Sequence, residues 1–123
     1  MPLHRADLPP ETLRLLRQGV AIPAHPLALN AERRFDRRRQ RALTRYYLDA
    51  GAGGLAVGVH TTQFEIREAG LYRPVLEAAM ESARAWTDRP LVMVAGLAGP
   101  TAQAVEEART AVGTGYHLSL IHI

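Results

Sequence analysis

Cysteine and lysine are both missing from this 123-residue chain. Without cysteine there is no disulfide, no thiol nucleophile and no cysteine-ligated zinc, a composition that suits a reducing cytoplasmic setting. Without lysine no side-chain amine is available to form an imine with a carbonyl substrate. All 15 residues of the Lys+Arg total are arginine. Aromatic residues are scarce at 6%, and none is interleaved within the arginine run from Arg37 to Arg45 as a base-stacking surface would need. No apolar run reaches membrane-spanning length, and the opening stretch MPLHRADLPPETLRLLRQG puts charges and prolines where a signal peptide needs an apolar core. These absences set the expectation of a soluble, cytoplasmic protein with no membrane partner.

What is present is a unit that occurs three times and begins a fourth: a short apolar run, a Gly or polar loop, then an amphipathic helix pattern. The runs start near Val20 (VAIPA), Leu55 (LAVGV), Leu91 (LVMVA) and Leu118 (LSLI). They show little alternation, as expected of parallel strands covered by helices on both faces. A closed α/β barrel takes about 250 residues. The expected fold class is therefore α/β, a partial (β/α)8 TIM barrel of the first three to four βα units, with residues 1–123 forming the N-terminal half of one domain. The chain stops inside its fourth run, which reads as truncation. The closing SLIHI also resembles a translated sequencing-adapter read-through, so residues 118–123 read either as a fourth strand or as a non-native tail.

Local signals place the helices. Residues 9–18 form a short helix opened by proline and an acid, suited to covering the bottom of a barrel. Asp36 is the expected N-cap of a helix reaching about Ala50, with Leu43, Tyr46, Tyr47 and Ala50 facing inward. A third helix spans about Arg73 to Trp86, with Val75, Leu76, Ala79, Met80 and Ala83 inward. Thr101 is expected to cap a fourth through Val112, with Ala102, Val105, Ala108 and Val112 inward. Between the second run and the third helix, HTTQFEIREAGLY is a long polar loop that should rise above the strand ends.

The charge is local. Residues 1–45 hold ten arginines against four acids, net +6, whereas residues 46–123 hold five against eight, net −3. Such a cluster fits a nucleic-acid surface, but the arginines fall on the outer side of a crossover helix and read as a solvated face. No nucleic-acid partner is expected.

The succession VAIPAHP, a loop, Phe35-Asp36 opening a helix that ends YYLDAGAGGLAVG, a Thr-containing loop, LVMVAG and TAQAVEEA resembles the N-terminal half of the dihydrodipicolinate synthase and N-acetylneuraminate lyase family. The resemblance implies a Schiff-base aldolase on a TIM barrel, a homo-oligomer when complete, that makes or breaks a carbon–carbon bond on a small 2-keto acid without a cofactor or metal. It departs from that family where His25 precedes Pro26, in place of Thr-Pro, and where GVHTTQFE replaces GTTGE. The family's imine lysine would lie beyond Ile123, so these residues alone are expected to be inactive.

In such barrels ligands bind where the βα loops gather at the strands' C-terminal ends. That rule selects His25, the His60–Gln63 segment and the Gly96–Gly99 loop. Thr61 and Thr62 are the candidates for holding a substrate carboxylate, with His60 and His25 lining the pocket. No catalytic residue is assigned, because the imine lysine is not in this chain. Two other readings stay open: a non-catalytic α/β module binding nucleic acid or protein through its arginine face, and a metal-dependent barrel hydrolase using His25 and His60.

Overall fold

The computed structural model describes residues 4–122, folded as a parallel sheet flanked by helices. In chain order the elements are α1 (Pro10–Gln18), α2 (Arg37–Asp49), β1 (Gly54–Val57), α3 (Tyr72–Trp86), β2 (Val92–Ala98), α4 (Thr101–Thr114) and β3 (Leu118–His122). The strands lie in the order β1-β2-β3, all parallel, with Leu55 opposite Met93 and Gly96 opposite Leu120. The expected βα repeat is therefore present. No helix among the described residues is long and apolar enough to cross a membrane.

The first apolar run differs from expectation. VAIPA lies beside β1 but pairs through one bridge, Ala24 with Ala56, flanked by His25 N–H to Ala56 O and Ala56 N–H to Pro23 O. A regular ladder would next need an amide hydrogen on residue 23, and proline has none. The run is thus an interrupted fourth strand at the β1 edge.

α2 begins where Asp36 accepts a hydrogen bond from the Arg39 amide at 3.0 Å, as the sequence indicates. Its inward face is the expected one only in part: Tyr47 packs against the core. Gln40, Thr44 and Leu48, four residues apart, are buried, whereas Tyr46 is 67% exposed and Ala50 is exposed. The stripe rotates because the inner helix face meets polar groups around residue 25, which favour Gln40 and Thr44 over an apolar pair. Arg89 closes the far end of α2, its two terminal nitrogens donating to the carbonyls of Ala52 (2.8 Å) and Leu48 (2.7 Å).

α3 buries the residues its periodicity selects: Val75, Leu76, Ala79, Met80 and Ala83. α4 departs twice. Pro100 occupies the N-cap, so Thr101 is the first helical residue and makes no cap. Glu107 and Ala111 are the buried positions, while Val105 and Val112 are 43% and 49% exposed. The helix turns this way because Glu107 is drawn inward by a buried cation described below. The core joins Leu55, Val57, Ile66, Leu76, Met93 and Tyr116; each large side chain buried there contributes about 1.5–3 kcal/mol. Across the strands' N-terminal end, the Thr12 hydroxyl donates to Leu91 O, so α1 covers the bottom of the sheet.

Candidate functional site

Because the strands are parallel, the loops after residue 24, after β1 and after β2 emerge at one pole. They are fastened to one another there. The loop after β1 opens with a 3₁₀ turn, His60–Thr62, followed by a second, Phe64–Ile66. Thr62 is fully buried, its hydroxyl donating to His25 O at 2.6 Å and accepting from the Gly58 amide at 3.1 Å. Thr61 and His60 stand exposed on the outside of the same turn, with the His60 ring 5.2 Å from that of Phe64.

His25 is fully buried. Its Nδ1 lies 2.7 Å from Pro26 O and its Nε2 lies 2.8 Å from the Thr44 hydroxyl. Both short contacts are satisfied when Nδ1 donates to the carbonyl and Nε2 accepts from the hydroxyl, the tautomer assigned on that basis. Gln40 completes the cluster: its carbonyl oxygen accepts from the Ala28 amide at 2.7 Å and its amide nitrogen donates to Pro26 O at 3.1 Å. Burial pushes the imidazole's pKa below its ordinary value, against a smaller opposing effect from the Pro26 hydrogen bond. A ring with both nitrogens engaged in a dry cluster orients backbone and does not reach into solvent.

The structure thus separates the four candidate residues into two layers. His25 and Thr62 meet through a backbone carbonyl beneath the rim, and His60 and Thr61 lie above it. His25 and His60 do not form part of a metal centre here; among the described residues no group of three or more His, Asp or Glu side chains is placed to hold a metal ion.

Sequence reasoning missed the group that ties this pole together. Arg67 donates from Nε to both Glu107 oxygens (3.0 and 3.1 Å) and from Nη2 to Gly58 O (2.9 Å) and Gly96 O (3.2 Å). One guanidinium therefore bridges the ends of β1 and β2 and the inner side of α4. Both charged side chains are about nine-tenths buried, with relative exposures of 9% and 8%. Glu107 also accepts from the Ala98 amide and the Gln103 side chain, so both its oxygens have two partners. The Tyr72 ring lies 4.8 Å from the Arg67 Cζ, and its hydroxyl donates to Gly96 O at 2.7 Å. Gly96 itself must lack a side chain, since a Cβ would strike the Gly58 carbonyl. Forty residues separate Arg67 from Glu107 in sequence, so no local spacing announces them.

No protein-family model matches the sequence, and comparison with curated proteins finds no match. Solved structures do match in fold. A catalytic-lysine mutant of the Ruminococcus gnavus sialic acid aldolase superposes with a TM-score of 0.74 at 24% identity, covering 87% of this chain and 34% of that one. Dihydrodipicolinate synthase from Aquifex aeolicus gives 0.72 at 21%, covering 83% and 33%. N-acetylneuraminate lyase from Fusobacterium nucleatum gives 0.72 at 20%, covering 83% and 34%. The fold is that of part of these barrels, as the sequence resemblance implies. The chain spans about a third of the length of the structures it matches.

Proposed function

We propose that this chain forms part of an aldolase or lyase barrel that acts on a 2-keto acid, with the imine-forming lysine outside these 123 residues. With no lysine in these residues, an imine mechanism places that residue elsewhere, and the fold shared with aldolases and synthases supports the reaction class. In this reading the exposed Thr61 hydroxyl binds the substrate carboxylate and His60 lines the same rim. Thr62 and His25 act from beneath, holding the turn that presents them. The observation that carries the reading is the Thr62–His25 hydrogen bond, which fixes the 60–62 turn at the C-terminal pole where barrel ligands bind.

The test is borohydride reduction in the presence of pyruvate, followed by mass spectrometry. The 123-residue chain is expected to give no adduct. A protein extended to a complete barrel is expected to give one, and Thr61→Val in that protein is expected to raise KM about tenfold, the value of one charge-assisted hydrogen bond. A complete barrel that turns over 2-keto acids without a reducible adduct overturns the imine reading.

A further inference from the structure

A second surface lies on the outer face of α2, away from the rim, and stands independently of the aldolase reading. Arg37, Arg41 and Arg45 recur every fourth residue and together line a groove of about 190 Å³ against α3, opposite Ser82 and Glu81. None of the three forms an ion pair with a carboxylate among the described residues. Their arrangement does not serve the helix. Arg37, Arg38 and Arg39 occupy its first turn with no acid among them, where the helix dipole disfavours positive charge, and among the described residues only Arg39 of the three is ion-paired, with Asp36. Arg45 Nε is buried without a hydrogen-bond partner.

The fold also supplies what the linear sequence withholds. Trp86, forty-one residues on from Arg45, is brought under that guanidinium, 4.6 Å from Cζ to the ring centroid, and remains 44% exposed. At the other end Arg37 lies 5.7 Å from the Phe35 ring. A guanidinium resting on a ring keeps its outward-facing in-plane N–H donors free for an anion; the buried Nε of Arg45 is not among them. Four helical residues advance about 6 Å along the axis, close to the interval between successive phosphates of an extended single strand. The groove is too small for a duplex.

We infer that the Arg37–Arg41–Arg45 groove, flanked by Trp86, binds the phosphate backbone of single-stranded nucleic acid. Three phosphate contacts on a single strand give a slope of about −2 in log K against log salt, with dissociation constants of about 1–100 μM at physiological salt and lower values as salt is reduced.

Fluorescence anisotropy of a labelled 20-mer of thymidylate, titrated with the 123-residue protein at several salt concentrations, tests this. The expected result is binding with that slope. Arg41 is exposed and forms no ion pair among the described residues, so Arg41→Ala leaves the fold intact and should weaken binding about threefold to tenfold. The triple variant R37A/R41A/R45A should abolish it, and Trp86→Leu should weaken it about fivefold or more. Arg73→Ala with Arg109→Ala, exposed arginines paired within their own helices, should leave it unchanged. The inference is overturned by no binding at low salt, by Arg41→Ala binding as well as the parent, by equal loss in the Arg73/Arg109 control, or by polyglutamate or duplex DNA competing as well as the single strand. A polyglutamate preference would identify an acidic protein as the ligand.

Discussion

Thr62 and His25 are joined by a hydrogen bond from the threonine hydroxyl to the histidine carbonyl, 2.6 Å long and fully buried. The same hydroxyl oxygen receives the Gly58 amide. One side chain thereby fixes the end of β1, the turn that follows it, and the interrupted strand alongside.

Replacing Thr62 with valine keeps the shape and strands a buried amide and a buried carbonyl. A loss of about 1–3 kcal/mol is expected in urea unfolding. The neighbouring Thr61→Val, on the exposed side of the turn, should change stability by less than about 0.5 kcal/mol. Equal losses at the two positions would contradict the two-layer arrangement.

Arg67→Met leaves the Glu107 carboxylate buried without its cation, although the Ala98 amide and the Gln103 side chain still donate to it. The expected cost is about 3–5 kcal/mol. The double variant R67M/E107L removes both charges and should recover much of that loss, which chemical denaturation of the two single variants and the double variant would measure. Additive losses would show that the pair is not coupled.

The depressed imidazole of His25 makes stability depend on pH. The unfolded chain takes up a proton near the ordinary histidine value of about 6.5, whereas the folded ring resists it until lower pH. Stability from this group is fully present above about pH 6.5 and declines as pH falls towards the folded value. His117 is also depressed, by burial and then by the Arg84 charge, and acts in the same direction. Midpoints of thermal unfolding measured from pH 7.5 down to 5 should fall for the parent and fall less steeply for His25→Gln. An unchanged slope in that variant would refute the assignment.

Gly96→Ala places a methyl group against the Gly58 carbonyl, just past the end of β1. Backbone cannot yield there as a flexible side chain would, so a cost of about 1–3 kcal/mol is expected. Gly113→Ala, where an added Cβ meets nothing within 4 Å, should be neutral or slightly stabilising in the helix. Thermal melts of the two variants give the comparison.

The layered architecture was legible because each helix and strand announces its own period. The α3 face could be read residue by residue, since Val75, Leu76, Ala79, Met80 and Ala83 bury only apolar groups. The α2 and α4 faces could not. Gln40, Thr44 and Glu107 are polar and look solvent-facing until the groups that satisfy them arrive from elsewhere in the chain: the Pro26 carbonyl and Ala28 amide for Gln40, His25 for Thr44 and Arg67 for Glu107. The same holds for the rim. Its position follows from the strand order, but which threonine is spent inside and which remains free depends on a contact across 37 residues. Trp86 beside Arg45 is likewise a product of helix packing rather than of spacing.

The exclusive use of arginine invites an explanation in genomic base composition, and for exposed side chains outside the α2 groove, such as Arg73 and Arg109, that suffices. Arg67 and Arg89 are different: Arg67 holds the Glu107 carboxylate with Nε while Nη2 donates to the Gly58 and Gly96 carbonyls, and Arg89 places its two terminal nitrogens on the Ala52 and Leu48 carbonyls at the end of α2. A lysine ammonium has neither the breadth nor the fixed angle to repeat that. Were this gene recoded freely between the two basic residues, most of its fifteen sites would accept the exchange silently, and positions 67 and 89 would veto it.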